Sequence, residues 1–349
     1  MALHVVDPWN DARWDAYVAS HPRATVYHTS QWIRIVCEIG RYPSLCLLHE
    51  HDGKVTGVLP LVAVESRLTG NRVSTLPFSD VCFALTDDAG TARALTAEAR
   101  AMRAKRGAAF YEMRGLPALR DGSDATAEGF VASGHFYNYV LPLQADEEAL
   151  LRSFSKKSVR YMINKGERGP LSFRRGDTAD VAAFYRLYVR TRRRHGVPPQ
   201  PERLFSMVIG QLAGAALHLA EYEGTPVAAA ITASYNGTTY LKYEVSDERH
   251  RELTPIHALL WKSIQDAIRA GDHTYDFGRT AGDNTGLNQF KQRWGTTQVE
   301  LPYYFDPPAA GMSVVKSDSL KYRIFTRVFR TMPEAWTVRV GERIFRHFG

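Results

Sequence analysis

A short pattern that occurs twice is the feature that most constrains how this chain can fold. Residues 50–53 (EHDG) and residues 221–224 (EYEG) each stand between two apolar runs, 171 positions apart in a chain of 349 residues. An acidic residue followed by glycine between two such runs predicts a β-hairpin. Because one hydrophobic core rarely serves more than ~250–300 residues, the two hairpins predict two similar domains that arose by duplication.

The patterns around these hairpins predict a mixed α/β fold. The first half predicts helices over 11–20, 30–40 and 91–106, and strands over 44–66 (the hairpin), 72–76, 80–85, 108–115 and 136–143. The second half predicts helices over 146–168, 178–194, 255–270 and 286–293, a three-stranded meander over 215–247, and strands over 273–280 and 299–305. We therefore predict an α/β (α+β) protein with similar domains over residues 1–144 and 145–310 and a helical appendage over 311–349.

The positive charge of the chain is concentrated in two segments. The net charge is +7, yet residues 151–194 alone carry thirteen Lys or Arg and three acidic residues, and residues 311–349 carry eight and three. Clustered cations of this kind raise the local concentration of anionic ligands. One interpretation is therefore a site for phosphate, nucleic acid or anionic lipid, and the other is a solvated helix face.

The C-terminal segment permits two interpretations. Apolar residues recur at helical spacing over 320–332 and again over 336–348, and Arg339, Arg343 and Arg346 lie away from the second apolar face. Such helices occur at the surface of anionic membranes, where they hold a protein peripherally at the inner face of the cell membrane. The same faces would equally suit packing onto the second domain.

Several classes of protein are excluded by what the sequence lacks. No apolar run approaches the ~20 residues that cross a bilayer, and the first residues do not resemble a secretory leader. Three scattered cysteines suit neither a disulfide framework nor a zinc site. The sequence contains no P-loop, dinucleotide-binding or nucleophile-elbow motif. We expect a cytoplasmic protein with no metal, no bound cofactor and no covalent nucleophile.

Polar residues that could carry chemistry are concentrated between positions 239 and 294. A predicted strand with Lys242 and Tyr243 leads to a predicted helix with Pro255 in its first turn, and Arg249 and Arg251 lie at the join. A helix N-terminus beside two arginines is suited to bind a phosphate or a carboxylate. A loop after the next strand holds further polar residues: Asp276, Arg279, Asp283, Asn284 and Lys291. Each could serve chemistry or simply cap a surface element.

The motifs in this and other segments resemble those of the FemAB family, which includes the FemX-type transferases that form peptidoglycan bridges. The resemblance covers about residues 1–310, with W-x-x-x-V-x-x-x-G at 32–40, G-V-L-P-L at 57–61, L-P-F-S-D at 76–80 and F-S-K-K-S-V-R-Y at 154–161. Its most specific part is Y-D-F-G-R-T-x-x-D-N-x-G-L-x-x-F-K-x-x-W-G at 275–295. The motifs are most similar to those of the branch found beside exopolysaccharide and PEP-CTERM sorting systems.

The resemblance implies two tandem acetyltransferase-like (GNAT) domains and transfer of an acyl or aminoacyl group to an amine. It places Phe290 and Lys291 at the active site, with Lys291 stabilising negative charge on the reacting carbonyl or on the donor's phosphate. Asp276 is either a proton acceptor or a structural hydrogen-bond partner. Lys157 and Arg160 are expected to hold phosphates of the acceptor or of tRNA.

The donor is expected to be aminoacyl-tRNA, with acyl-CoA as the alternative. Acetyltransferases of this fold bind the pyrophosphate of coenzyme A on a glycine-rich turn, whereas residues 249–255 of this chain (RHRELTP) contain no glycine. The backbone approaches a pyrophosphate less easily without glycine. The expected acceptor is an amine of a cell-envelope or polysaccharide precursor, or of a small molecule or amino sugar in the acyl-CoA alternative. A third interpretation is a non-catalytic protein that binds tRNA or anionic lipid.

Overall fold

The structure is a computed structural model that describes residues 2–124, 131–132, 136–307 and 320–347. Its contacts divide the chain into two compact units, each assembled from more than one stretch of sequence. Unit 1 comprises residues 1–135, 301–316 and 343–349, and unit 2 comprises residues 136–300 and 317–342.

Strands and helices alternate along the described residues. The elements up to residue 132 are β1 (Ala2–Val5), α1 (Ala12–Ser20), α2 (Ser30–Gly40), β2 (Leu47–His51), β3 (Lys54–Leu59), β4 (Val62–Val64), β5 (Arg72–Ser74), β6 (Leu85–Thr86), α3 (Ala89–Lys105), β7 (Phe110–Arg114), β8 (Ala118–Leu119) and β9 (Val131–Ala132). Those that follow are β10 (Phe136–Pro142), α4 (Glu147–Ser153), α5 (Val159–Arg168), β11 (Leu171–Gly176), α6 (Val181–His195), α7 (Glu202–Gln211), β12 (Ala215–Tyr222), β13 (Thr225–Tyr235), β14 (Thr238–Ser246), α8 (Pro255–Arg269), β15 (Thr274–Ala281), α9 (Thr285–Gln292), β16 (Thr297–Leu301), β17 (Tyr303–Asp306), α10 (Leu320–Thr331) and α11 (Glu334–Ile344).

The predicted α/β duplication is confirmed. Both units contain the predicted hairpin, β2–β3 in unit 1 and β12–β13 in unit 2, and both hairpin turns have positive φ at their two central residues. In each unit a helix then separates two parallel strands, which are β5 and β7 around α3 and β14 and β15 around α8. An antiparallel strand lies beside the last of these, β17 in unit 1 and β10 in unit 2.

Unit 2 is organised around one seven-stranded sheet in the order β11-β12-β13-β14-β15-β10-β16. Its main core packs aromatic and aliphatic side chains of α5 and α8 against the sheet, and Trp261 and Trp294 are fully buried there. Buried Ala228 and Ala230 of β13 are small and allow close packing in this core. Unit 1 has two five-stranded sheets, in the orders β1-β2-β3-β6-β8 and β4-β5-β7-β17-β9.

The boundaries of the compact units differ from the predicted ranges 1–144 and 145–310. Strand β10 was assigned to the first domain, but it pairs with β15 and belongs to unit 2. The predicted strand 299–305 is two strands, because Pro302 interrupts it: β16 lies in the sheet of unit 2, and β17 pairs with β7 and β9 in unit 1. A local sequence pattern does not show which unit a strand joins, because strands pair with partners that are far away in sequence.

One further local prediction is wrong, and several elements were not predicted. The helix predicted over 146–168 is two helices, α4 and α5, separated by residues 154–158. Strands β1, β8, β9 and β11 and helix α7 were not predicted. Strand β11 has six residues, none of which is buried, so its apolar alternation is too short to indicate a strand.

The C-terminal helices pack within unit 2 over most of their length. A Cβ on Gly196 of unit 2 would lie 2.5 Å from the carbonyl oxygen of Thr326 in α10, and a Cβ on Gly341 of α11 would lie 2.5 Å from that of Pro199. Phe329 is buried, whereas Trp336 is 59% exposed. Packing onto the second domain is thus the alternative that the geometry supports. Residues 311–319 and 348–349 of the appendage lie outside the described residues.

Candidate active site

The candidate site lies where two parallel strands of unit 2 separate. Strands β14 and β15 pair only from Thr238 and Thr274 to Tyr240 and Asp276. Strand β14 then continues to Ser246 and β15 to Ala281, and β15 pairs on its other side with β10. The carboxyl halves of the two strands therefore diverge within the sheet. We call the opening between them the strand gap.

A β-bulge in each strand marks the start of this gap. On β14, Lys242 is the extra residue, because Leu241 and Tyr243 pair with consecutive residues of β13. On β15, the register with β10 shifts where Gly278 has a φ of 73°. Bulges bend strands and redirect side chains next to active sites. Tyr243 packs edge-on against the rings of Tyr188 and Phe205 in the helices of unit 2.

Asp276 organises the bulge on β15. Its Oδ1 accepts a hydrogen bond from the backbone N–H of Gly278 at 2.6 Å, and its Oδ2 accepts one from Nδ2 of Asn138 at 2.8 Å. The side chain is buried. Of the two roles considered for Asp276, this geometry favours the structural one, since both carboxylate oxygens hold neighbouring groups in place.

Lys291 lies within the strand gap. Its Nζ donates to the carbonyl oxygen of Gly278 at 2.8 Å, and the ammonium is 5.8 Å from the ring centre of Tyr139. The side chain is only 4% exposed. Lys291 lies in helix α9, which confirms the helix predicted over 286–293, so its charge is held rigidly in a site of low polarity. A fixed, desolvated cation is well suited to stabilise developing negative charge.

Glu244 lies on β14, the other strand of the gap. Its side chain interacts electrostatically with Lys291 and with the buried Tyr275. Burial raises the pKa of the Glu244 carboxyl, although the Lys291 charge opposes the shift. Its Oε2 atom is buried without a hydrogen-bond partner among the described residues. A carboxylate of raised pKa with an uncommitted oxygen is suited to accept a proton near neutral pH.

Aromatic side chains form one side of the site. Phe290 precedes Lys291 and packs against the main core of unit 2, 5.5 Å from the ring of His257 and 6.3 Å from that of Trp294. His257 is half-buried in α8, and burial lowers its pKa to about 4. At neutral pH its imidazole is therefore uncharged.

The other predicted ligand-binding residues are distributed over the surface of unit 2. Arg249 donates to the Asp247 carboxylate at 3.1 Å, and Arg251 Nε is 3.5 Å from Glu252. The Arg279 guanidinium lies 4.2 Å from the ring centre of Phe136. Asn284 caps helix α9, since its Oδ1 accepts from the N–H of Leu287. The geometry of Asn284 is that of a structural cap.

Lys157 and Arg160 lie at the start of α5. Lys157 is exposed, and Arg160 Nη1 donates to the carbonyl oxygen of Arg152 at 3.2 Å. Helix α5 packs against α8, so these residues lie on the element that borders the join between β14 and α8. That join contains no glycine turn: residues 248–253 form a 3₁₀ helix that ends at Thr254, which has a φ of 52°.

Glu244 was missed by the sequence analysis. It stands in a run of polar and aromatic residues, TTYLKYEVS, in which its burial has no local signature. The signal that was available is its position on the same strand as the predicted Lys242 and Tyr243, one residue after Tyr243. Its partner Lys291 is 47 positions away and is brought near only by the sheet.

Comparisons with known proteins agree with this architecture. The family model of the acetyltransferase (GNAT) domain matches residues 153–292, which include Glu244 and Lys291. A comparison with curated proteins found no match. Among solved structures, FemX is 15% identical with a TM-score of 0.66, over 87% of this chain and 97% of that one.

Two further solved structures have similar folds. One is the C-terminal domain of a putative lysylphosphatidylglycerol synthetase from Agrobacterium fabrum, 11% identical with a TM-score of 0.55, over 86% of this chain and 92% of that one. The other is L-PGS from Bacillus licheniformis, 12% identical with a TM-score of 0.55, over 93% and 98%. At these identities the likeness concerns the fold. The chain has two GNAT-like units, and its second unit contains the region matched as an acetyltransferase domain.

Proposed function

We propose that the protein transfers an aminoacyl group from aminoacyl-tRNA to an amine, within the strand gap of unit 2. The observation that carries the proposal is that two buried charges meet at the gap: Lys291, whose ammonium is held by the Gly278 carbonyl of β15, and the carboxylate oxygen of Glu244 on β14 that has no hydrogen-bond partner among the described residues. A fixed cation and a carboxylate of raised pKa supply the two charges that acyl transfer to an amine requires. The match of this region to the acetyltransferase domain supports the same chemistry.

The reaction needs no covalent intermediate. The amine nitrogen attacks the ester carbonyl of the donor, and a C–N bond forms while the carbonyl oxygen becomes negatively charged. Lys291 stabilises that oxyanion. Glu244 accepts a proton from the attacking nitrogen, the C–O bond of the ester breaks, and the proton passes to the departing 3′ hydroxyl of the tRNA. Holding the two substrates together supplies much of the rate enhancement.

The absence of a glycine turn before α8 supports tRNA rather than coenzyme A as donor. In the structure this join is a 3₁₀ helix that carries Arg249, Arg251 and Glu252. Side chains at each position keep a pyrophosphate from the backbone N–H groups. The similarity to the C-terminal domain of a putative lysylphosphatidylglycerol synthetase, whose name describes aminoacylation of a lipid, also supports an aminoacyl donor.

The proposed acceptor is an amine of a cell-envelope or polysaccharide precursor. The resemblance of residues 275–295 to the exopolysaccharide-associated branch of FemAB proteins supports this choice. The proposal includes a cytoplasmic reaction, where charged tRNA is made. Because α10 and α11 pack within unit 2 over most of their length, the proposed peripheral contact with anionic membrane involves only the exposed side of α11, at Trp336 and Arg339. Among the described residues, no helix is both long enough and apolar enough to cross a bilayer.

The test is a donor comparison. Purified protein is incubated with charged tRNA carrying labelled amino acids, with acetyl-CoA, or with long-chain acyl-CoA, each with amino sugars and amine-bearing envelope precursors as acceptors. We expect a labelled amide with charged tRNA and its loss in the Lys291→Ala variant. Product from the CoA donors alone would make the protein an acyl-CoA N-acyltransferase. No product from any donor would identify a binding protein.

A further inference from the structure

Helix α5 presents one exposed face that combines an aromatic ring with cations. Tyr161, Lys165 and Arg168 follow one another at i, i+4 and i+7, so they share one side of the helix. Tyr161 is 55% exposed. The opposite face, with Val159 and Ile163, is buried in the core of unit 2. The exposed face is therefore not required for folding.

This face borders a cleft of about 470 Å³ between α5 and the 3₁₀ helix at residues 248–253. The lining residues are Tyr161, Asn164, Lys165, Arg168, Gly169, Glu252 and Leu253. Glu252 is the one acid among these described lining residues, and it is 79% exposed and 4.0 Å from Lys165. The lining residues of the cleft thus carry a net positive charge, and they include one aromatic ring and one side-chain amide.

The cleft is built from parts that are held together tightly. A Cβ on Gly166 would lie 2.7 Å from the Cβ of Ala258, so α5 approaches α8 as closely as glycine permits. The Thr254 hydroxyl, at the start of α8, donates to the carbonyl oxygen of Met162 at 2.8 Å. Because both contacts lie beside the N-terminus of the fifteen-residue helix α8, its dipole adds to the positive potential of the cleft.

We propose that this cleft binds the nucleotide part of the donor, with the base stacked on Tyr161 and the phosphates against Lys165 and Arg168. Aromatic rings beside a cationic track are the features by which proteins hold single-stranded nucleotides. Asn164 offers an amide donor and acceptor to the edge of a base. A lipid surface would contact an extended apolar face, whereas here a single ring lies within a concave cleft.

The inference rests on the proposed function for its link to the strand gap. Along the chain, Glu244 and Leu253 are separated by the end of β14 and the 3₁₀ helix, a path of roughly 25 Å at most. A donor whose nucleotide is bound in the cleft therefore needs an arm to deliver its acyl group to Lys291. In acyl-CoA this arm is the pantetheine chain beyond the adenosine phosphates. In aminoacyl-tRNA the acyl group is on the terminal adenosine itself, so the cleft would hold an earlier nucleotide of the single-stranded 3′ end, and the nucleotides after it would form the arm.

The experiment measures binding without turnover. Uncharged tRNA, coenzyme A and adenosine monophosphate are titrated against the wild-type protein, Tyr161→Ala, and the double variant Lys165→Gln/Arg168→Gln, all checked for unchanged melting temperature. The matched control is Arg186→Gln, which removes an exposed cation from helix α6. We expect Tyr161→Ala to raise the Kd for the bound probe about tenfold or more. For tRNA, the double variant lowers the log–log salt slope by roughly 1.4.

The outcomes distinguish the proposed function from the proposed nucleotide cleft, and tRNA from coenzyme A as the bound donor. Preferential binding of tRNA identifies a nucleic acid end, and preferential binding of coenzyme A identifies the small donor. Either result, when Tyr161→Ala or the double variant weakens that binding, supports the cleft even if no acyl transfer is detected, in which case the proposed function fails alone. Acyl transfer with nucleotide binding that is the same in all variants overturns the cleft alone. Binding of none of the three probes to the wild-type protein also overturns it.

Discussion

At the scale of single residues, the proposed chemistry depends most on the charge of Lys291. Its ammonium is buried and held by the carbonyl oxygen of Gly278. We expect Lys291→Ala to lower kcat about 10²–10³-fold, the usual effect of losing one group that stabilises an oxyanion. Steady-state kinetics with saturating donor and acceptor measure this loss.

Burial also makes Lys291 part of the fold, so the variant must be separated from simple unfolding. Lys291→Met keeps most of the aliphatic volume while removing the charge, and its melting temperature reports how much packing is retained. A folded Lys291→Met variant with near-normal turnover would show that the charge does not act in the reaction.

The proposed role of Glu244 predicts how the reaction rate depends on pH. Burial raises the pKa of its carboxyl, and the carboxylate is the form that accepts a proton. The rate should therefore be full above that pKa and fall as the pH is lowered through it. We expect Glu244→Gln to lower kcat about 10²–10⁴-fold and to remove the acidic limb of the pH–rate profile. Glu148→Gln, on the exposed side of α4, is the control. An acidic limb that survives in Glu244→Gln would assign the titration to another group.

At the scale of elements, the contact between α5 and α8 depends on a missing side chain. A Cβ on Gly166 would meet the Cβ of Ala258 at 2.7 Å and the carbonyl oxygen of Thr254 at 3.2 Å. We expect Gly166→Ala to destabilise the protein by about 1–3 kcal/mol through overpacking, and to weaken nucleotide binding because α5 moves. Urea unfolding measures the loss.

Gly286 supplies the matched control for that change. It also lies in a helix, α9, but a Cβ there would meet no atom within 4 Å. Gly286→Ala should therefore be neutral or stabilising by up to about 1 kcal/mol, from helix propensity alone. Equal unfolding free energies for the two variants would mean that α5 can move away from α8 without cost.

The elements also show which structural information is local. Helix α2 begins and ends where the apolar spacing predicts, and the turn at Asp52 and Gly53 forms the predicted hairpin. Short-range rules suffice there, because caps and turns are decided by neighbours in sequence. The division of the predicted strand 299–305 into β16 and β17 depends instead on partners more than a hundred residues away, so no local pattern reports it.

The candidate site was predictable to a similar degree. Phe290 and Lys291 are recognisable because they stand in a long specific motif, and the structure places Lys291 in the strand gap. Glu244 is not recognisable, because the property that distinguishes it is its buried, unpartnered oxygen, which exists only once β14 and β15 diverge. Tyr161 is not recognisable from the sequence either, because its exposure indicates a binding site only together with the cleft beside it.

At the scale of the whole molecule, buried histidines in both units link stability to pH. Burial lowers the pKa of His28 to about 3 and the pKa values of His218 and His257 to about 4. In the unfolded chain the same groups titrate near 6.5. As the pH falls below 6.5, the unfolded chain binds protons that the folded protein does not, and the folded state loses stability.

The size of this effect can be stated per histidine. A histidine that is protonated in the unfolded chain but not in the folded protein changes the free energy of unfolding by up to about 1.4 kcal/mol per pH unit. Between pH 5.5 and 4.5 the three histidines together therefore lower the free energy of unfolding by up to about 4 kcal/mol per pH unit. Urea unfolding at a series of pH values from about 7 to 4.5 measures the slope. His218→Gln and His257→Gln should each flatten it, whereas His51→Gln, at an exposed position, should leave it unchanged. An unfolding free energy independent of pH over this range would show that these imidazoles are protonated in the folded protein as readily as in the unfolded chain, and that burial does not keep them neutral.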